Sequence, residues 1–124
     1  MATGIGVLDR TYNANVDLSA KIYCFVQKDV SGNGVILATD GGPVLGVLQN
    51  KPTLNQGAVV RILGETPVIA GANSCAEGDL VSSDASGNVD TAASGEYIAG
   101  IATKAGVFAT GQMATVMLLP QGKK

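Results

Sequence analysis

The chain has 124 residues, of which 46% are apolar and 15% charged, and its net charge is −2 with no histidine and no tryptophan. This length suits one domain or two very small half-domains, and the charged share is well below the roughly one quarter that is usual in globular proteins. The lack of histidine excludes Ser-His and Cys-His catalysis, and the lack of clustered Lys and Arg argues against nucleic-acid binding.

The first residues are not expected to act as a targeting signal. MATGIGVLDR lacks the basic start and long apolar region of a secretory signal. Ala2 stands where N-myristoylation requires glycine, and no apolar run approaches the ~18 residues needed to span a bilayer. We therefore expect a protein that is made in the cytoplasm and does not enter a membrane.

Residues 1–20 differ in pattern from the rest of the chain. TYNANVDLSA mixes polar residues with scattered apolar ones and shows little periodicity. This segment is predicted to be an extended N-terminal arm with one short strand. Residues 21–124 are predicted to form a single β domain.

The segment after the arm has the pattern of a β-hairpin. KIYCFVQK alternates, so that Ile22, Cys24 and Val26 are predicted to face one side of a strand. DVSGNG then forms a turn, in which we expect Asn33 and Gly34 to take the positive φ values of a tight hairpin. GVILAT is the return strand, and DGGP ends it, because proline cannot donate to a ladder and glycine permits a sharp reversal.

More short strands follow along the chain. They are predicted in PVLGVLQN, AVVRILG, TPVIAG, DLVSS, VDTA, YIAGIAT and QMATVMLL, and Pro120 ends the last of them before a polar tail. Turns recur about every eight to twelve residues, which is typical of an all-β sandwich or barrel. The helical alternative is limited to one short helix in KAGVFAT or NANVDLSA.

Two parts of the chain repeat one pattern 54 residues apart. Val44–Val47 aligns with Ile98–Ile101, and each copy is preceded by an SGN turn, with the two turns one residue out of register. Half of the chain has too few strands to bury a sheet face alone. We therefore predict a duplicated β unit, spanning about residues 21–70 and 76–119, whose halves pack together.

Four glycines recur at matching places in the two copies. Gly46 and Gly100 lie within predicted strands, where glycine marks a bulge, a bend or a close approach of two backbones. Gly57 and Gly111 begin strands and are predicted to supply turn geometry. We interpret all four as structural residues.

The best candidate for a metal site is the sequence DASGNVD. It places oxygen atoms at Asp84, Ser86, Asn88 and Asp90, in the alternation that calcium loops use. Its glycine does not match the EF-hand position, and DVSGNG repeats the turn with fewer carboxylates, which favours a polar hairpin turn. The other carboxylates are scattered through loops, so we expect no catalytic residue, no metal and no cofactor.

Two cysteines and one arginine complete the residues of interest. Cys24 lies in an apolar strand and is predicted to be buried, whereas Cys75 lies in the loop-like ANSCAEG and is predicted to be more exposed. Two thiols do not form a disulfide framework, and their pairing stays open. Arg61 interrupts AVVRILG, so it lies either on the outer face of a strand or at a subunit contact.

The glycine and valine pattern as a whole resembles that of the small capsid cement or head decoration proteins of tailed bacteriophages and prophages. The shared pattern runs from a GVL strand through GxVVxxxG, AGAxxxxxGDLV and a GxV hairpin to YIAGIA and a final strand, over about residues 35 to 119. The matching pieces are Val44–Leu48, Gly57–Gly64, Ala70–Val81, Gly87–Val89 and Tyr97–Leu119.

This resemblance implies a compact β-barrel-like or β-tulip fold and a structural, non-enzymatic role on the exterior of a virion. It implies binding to the major capsid protein of an expanded shell, as a homotrimer at threefold or quasi-threefold positions. In such proteins an N-terminal arm orders against the shell. Here that role falls to Thr11, Tyr12, Asn13, Ala14 and Asn15.

Other readings of the sequence stay open. One is a different virion β protein, such as a head fibre base or a tail component, which copy number per particle would separate from a cement protein. Another is a small ligand- or carbohydrate-binding barrel, although five aromatic residues are few for such a site. An enzyme of unknown type is disfavoured by the missing histidine.

Overall fold

The computed structural model describes residues 6–71, 75–105 and 112–124, which form nine β-strands and no helix. The predicted all-β class is confirmed, with nine strands in place of about eight. The strands are β1 Gly6–Ala14, β2 Phe25–Lys28, β3 Gly34–Leu37, β4 Gly46–Leu48, β5 Gly57–Ile69, β6 Leu80–Ser83, β7 Val89–Thr91, β8 Tyr97–Lys104 and β9 Met113–Lys123.

The strands form two barrels that share β5. The first barrel has the order β1-β3-β2-β4-β5, and β1 pairs again with β5 to close it. The second has the order β5-β9-β8-β6-β7, and a parallel bridge between Ala70 and Val89 brings its last strand back to the end of β5. Closing both sheets leaves few unpaired strand edges, which would otherwise template aggregation.

Strand β5 runs without interruption through both barrels. Its first part pairs with β1 and β4, and its second part pairs with β9. Gly64 lies between these parts with a φ of 111°, which a residue with a side chain rarely adopts. AVVRILG and TPVIAG were predicted as two strands, and this was wrong because the chain bends at Gly64 without leaving the sheet.

The strand register repeats between the two barrels, although the equivalent residues Ala14 and Ala70 do not follow the predicted bounds of about 21–70 and 76–119. Ala14 pairs in parallel with Val35 in the first barrel, as Ala70 does with Val89 in the second. Likewise Val26 pairs with Leu37 as Val81 does with Thr91. The offset between equivalent residues is 54 for β3, 55 for β2 and 56 for β1, since the connecting loops differ in length.

The two barrels have nearly the same interior. Six equivalent positions are at most 5% exposed in each, and five of the six carry the same residue type. In the first barrel they are Ala14, Val26, Val35, Leu48, Ala58 and Val60, and in the second Ala70, Val81, Val89, Ala102, Ala114 and Val116. Each half therefore closes its own core.

Side chains on the outside of the first barrel join the two cores. Phe25 and Val47 belong to the hydrophobic cluster of the second barrel, whereas their neighbours Val26 and Leu48 belong to that of the first. Adjacent strand residues point to opposite faces, so short strands can serve both clusters. Burial of Phe25, which is 0% exposed, contributes about 1.5–3 kcal/mol to holding the barrels together.

Gly46 and Gly100 allow the same close backbone approach in the two barrels. A Cβ on Gly46 would lie against the carbonyl oxygen of Arg61 and 2.8 Å from Val60 Cγ1. A Cβ on Gly100 would lie against the carbonyl oxygen of Met117 and 2.8 Å from Val116 Cγ1. A backbone oxygen in a paired strand cannot move aside cheaply, so both positions require glycine.

The turns differ from the predicted hairpin geometry. The positive φ of the first SGN turn belongs to Gly32, at 71°, and not to Asn33 or Gly34. Its equivalent Gly87 has a φ of 77°. The loop between β2 and β3 thus has five residues. Its residue with positive φ, Gly32, lies one position before the predicted pair Asn33 and Gly34.

In the loop before β5, the residue that takes the turn conformation is not the predicted Gly57. Gly57 begins β5, but the positive φ of the preceding loop belongs to Asn55, at 67°. Asparagine tolerates this conformation better than most residues. Gly111 lies outside the described residues, as does most of KAGVFAT.

Both ends of the chain contribute strands. Within the predicted N-terminal arm, Gly6–Ala14 forms β1, which pairs with β5 and β3 as part of the first barrel. At the other end, β9 continues past Pro120 to Lys123, although Pro120 was predicted to end it. The β8–β9 register shifts between the pairs Ile98–Gly122 and Gly100–Leu118, and the extra residues on the β9 side include Pro120, which has no N–H to donate. The described part of the chain contains no helix with the length and apolar character that crossing a bilayer requires.

Neither cysteine forms a disulfide, and both are buried in the core, at 3% exposure for Cys24 and 4% for Cys75. The prediction for Cys24 is confirmed, whereas the exposed position predicted for Cys75 was wrong, because Cys75 packs into the second cluster. The Cys24 thiol donates to Asn88 Oδ1 at 3.4 Å. Burial is the main reason that its pKa is raised to about 11.

We predict that Gly46→Ala and Gly100→Ala each lower the free energy of unfolding by at least about 2 kcal/mol, since the added methyl group meets a backbone carbonyl. Gly122→Ala is the matched control, because a Cβ there meets nothing within 4 Å. Urea unfolding followed by circular dichroism measures all three. Equal stabilities for the three variants would contradict the close approach.

We predict that the Cys24 thiol stays protonated and unreactive in the folded protein at pH 8, because its pKa is about 11. Because folding raises the pKa of Cys24, the contribution of this thiol to the free energy of unfolding is fully present below the unfolded-state pKa. That contribution is lost as pH rises toward the folded-state pKa of about 11. Iodoacetamide labelling followed by peptide mass spectrometry should therefore modify Cys24 only in denaturant. Labelling of the native protein at the unfolded rate would contradict this packing.

Candidate functional site

An apolar groove lies where the two barrels meet. It has a volume of about 240 Å³ and is formed by residues at β4, β5, β8 and β9. We call it the inter-barrel groove, and it is lined by Val44, Leu45, Gly46, Ile62, Leu63, Ala99, Leu118 and Leu119. All of these residues are apolar, so the groove offers contact surface and no catalytic group.

The groove is approximately symmetric, because the repeat places equivalent residues on its two sides. Leu63 and Leu119 are equivalent and are 44% and 37% exposed. Leu63 directly precedes the bend of β5 at Gly64, and Leu119 directly precedes Pro120. Side chains along a strand alternate between its two faces, so Leu63 and Leu119 point away from the barrel interior while adjacent residues point into it.

A second apolar depression continues the groove across the first barrel. It has a volume of about 320 Å³ and shares Val44 and Leu45 with the groove. Its other lining residues are Gln27, Lys28, Val30 and Pro43, and Val30 is 100% exposed. Contiguous exposed apolar surface of this kind is typical of a protein–protein contact.

Arg61 lies on the outer face of β5 and is engaged within the chain. Its Nε donates to Asp9 Oδ1 at 2.9 Å and its Nη2 to Asp9 Oδ2 at 3.2 Å, while Nη1 donates to the Glu65 carbonyl oxygen. This two-pronged ion pair joins β1 to β5 in register. The outer-face position predicted for Arg61 from the alternation is thus observed, and the predicted subunit contact stays a prediction.

A polar depression of about 570 Å³ lies on the first barrel at β1. The Arg10 guanidinium lies over the Tyr12 ring, 6.0 Å from its centroid, and Lys28 comes from the neighbouring hairpin. We call it the basic depression, and its lining residues are Arg10, Thr11, Tyr12, Asn13, Lys28, Asn33 and Gly57. Both of its charged residues are cationic.

The five residues predicted to contact a capsid do not share one environment. Thr11, Tyr12 and Asn13 line the basic depression. Ala14 is 0% exposed inside the first barrel, so its side chain is not available to a partner. Asn15 is engaged within the chain, since its Nδ2 donates to Asp29 Oδ2 at 3.0 Å. That hydrogen bond is the main reason that the pKa of Asp29 is lowered.

The DASGNVD sequence forms a turn that is stabilised by hydrogen bonds to the side chain of its first residue, Asp84. Asp84 Oδ1 accepts hydrogen bonds from the Ser86 N–H at 2.8 Å and the Asn88 N–H at 2.9 Å. Asp29 Oδ1 accepts from the Ser31 N–H in the equivalent turn. Among the described residues, no three His, Cys, Asp or Glu side chains come together in a way that could hold a metal ion.

Sequence reasoning found neither the groove nor the basic depression. Leu63 and Leu119 were hidden because the repeat was aligned at 54 residues, whereas the equivalent strands β5 and β9 are offset by 56. The basic depression depends on the pairing of β1 beside the β2–β3 hairpin, which brings Arg10 near Lys28. Aligning β5 with β9 at an offset of 56 would have paired the two groove leucines in the sequence. The basic depression is apparent only once the fold is known.

The fold has a counterpart among solved structures. The head fibre gp8.5 N base of bacteriophage phi29 matches this chain with a TM-score of 0.69 at 16% sequence identity, covering 90% of this chain and 93% of that one. No protein-family model matches the chain, and no curated protein sequence matches it. At such low identity the likeness establishes a shared fold.

Proposed function

We propose that this protein is a structural component of a bacteriophage head, bound to the outer surface of the capsid, where it stabilises the expanded shell. The observation that carries the proposal is the fold likeness over 90% of the chain to a protein described as a head fibre base. The glycine and valine pattern of capsid cement proteins supports the same setting. In this proposal the protein is not an enzyme and needs no cofactor.

The mechanism follows from mass action. A protein that binds the expanded shell and not its precursor stabilises the expanded form by its own binding free energy, repeated over many sites. The partner is the major capsid protein, and we propose that the chain acts as a homotrimer. The inter-barrel groove supplies the subunit contact, because oligomer interfaces have apolar cores and the groove is lined by apolar residues alone.

A second candidate is the base of a head fibre. The specific observation in its favour is that the matching structure is described as the N base of such a fibre. A fibre base also binds the head exterior, so the same surfaces would serve it. The two functions differ in copy number and in whether a further chain is attached to the base.

We predict that this polypeptide is present in purified phage particles at a simple ratio to the major capsid protein. Quantitative mass spectrometry against isotope-labelled peptides of both proteins measures the ratio. A ratio near one to one, or one to three, would support the cement function. A few dozen copies per particle or fewer would favour the fibre base, and complete absence would overturn both.

We predict that the double substitution Leu63→Ser and Leu119→Ser converts a trimer to monomers. Burying one leucine contributes about 1.5–3 kcal/mol, so losing two at each contact weakens the assembly by well over tenfold. Light scattering after size exclusion measures the mass. Leu54→Ser is the control, since Leu54 is 56% exposed and does not line the groove. A trimeric double variant would refute the groove contact.

A further inference from the structure

The two barrels repeat their scaffold but not the basic depression. Arg10 on β1 is equivalent to Thr66, and Lys28 on β2 is equivalent to Ser83. Tyr12 is equivalent to Val68, which is buried in the second barrel. Thr66 and Ser83 are also 0% exposed, so these places are covered in the second barrel, whereas Arg10 and Lys28 are exposed on the first. The second barrel closes with neutral residues there, so barrel closure itself does not require a cation.

The charges of Arg10 and Lys28 are poorly balanced within the depression, because no acidic residue lines it. Each cation has an acidic neighbour in sequence, but both of those carboxylates are engaged elsewhere. Asp9 is paired with Arg61, and Asp29 accepts hydrogen bonds from Asn15 and Ser31, while the Lys28 charge is the last and smallest of the causes that lower the pKa of Asp29. The Lys28 ammonium donates to the Gly32 carbonyl oxygen at 2.9 Å, which leaves its charge available to a further acceptor.

We infer that the basic depression binds carboxylate side chains of a protein partner. The guanidinium fork of Arg10 matches a carboxylate with two parallel hydrogen bonds, and Lys28 adds a second positive charge. Asn33 lines the same depression and adds an amide group, whereas the Asn13 amide donates within the chain to Asn15 Oδ1 at 2.7 Å and to Asn55 Oδ1 at 3.3 Å. The identification of that partner as an acidic surface of the phage head rests on the proposed function, whereas the carboxylate site itself does not.

A protein carboxylate fits this site better than a nucleic acid does. The chain has a net charge of −2, and the depression holds two cations. A nucleic-acid surface needs a basic stripe that neutralises many phosphates. Two cations with the Asn33 amide beside them match one or two carboxylates in number.

The first test is a titration of the full chain with hexaglutamate peptide, followed by amide NMR shifts at low and high salt. We expect shifts confined to Arg10–Asn13 and the β2–β3 hairpin, which weaken as salt rises. Arg10→Gln and Lys28→Gln should each lower the affinity by about tenfold. Lys104→Gln, which removes one positive charge from the second barrel, should leave it unchanged. No shift, or an equal loss with Lys104→Gln, would overturn the site.

Two further probes decide the ligand class and separate this inference from the proposed function. Inorganic phosphate or a single-stranded oligonucleotide that binds as tightly as hexaglutamate would overturn the carboxylate assignment. Co-sedimentation with shells lacking this protein then compares the wild-type chain with Arg10→Gln and Lys104→Gln. Failure of the wild-type chain to bind shells overturns the proposed function alone. Wild-type binding that Arg10→Gln leaves unchanged overturns the role of the depression in it.

Discussion

Strand β5 is the constraint on which the rest of this structure depends. It supplies the last strand of the first barrel and the first strand of the second, so each barrel is closed by a strand that it shares with the other. Its inward residues Ala58 and Val60 fill one core and Val68 the other. A change that straightens β5 at Gly64 would therefore open both barrels at once, and we expect the two to unfold as one unit.

Much of the fold could be predicted from the sequence because most of its strands are short and are separated by turns with recognisable glycine and polar residues. The alternating apolar runs and the SGN turns predicted the strands β6, β7 and β8, and the repeat predicted two equivalent halves. β1 was harder, because Tyr12 and Ala14 face inward among polar outward residues and give no clear alternation. The unbroken course of β5 was missed because AVVRILG and TPVIAG were predicted as separate strands, whereas Gly57–Ile69 is one strand in which Pro67 pairs with Thr115.

The candidate surfaces could not be read from the sequence because they are properties of strand order. Leu63 and Leu119 meet only after β5 and β9 pair and both barrels close. Arg10 and Lys28 come together only because β1 crosses to pair in parallel with β3, which is a contact between distant parts of the chain. Local patterns carry burial and turns, whereas surfaces made by several strands require the topology.

Comparison of the two halves separates what the fold needs from what it leaves free. Interior positions agree in five of six pairs, because a packed core feels the change of even one methylene group. The outward-facing pair Arg61 and Met117 has diverged, and the exposed Arg10 has the fully buried Thr66 as its equivalent. The groove leucines are the exception, since Leu63 and Leu119 match although both are exposed. A symmetric apolar groove suits repeated contacts between like subunits. A depression present on one barrel alone makes the two barrels different, so a partner can bind the molecule in one orientation. The proposed attachment of subunits to a shell by one face would use both features.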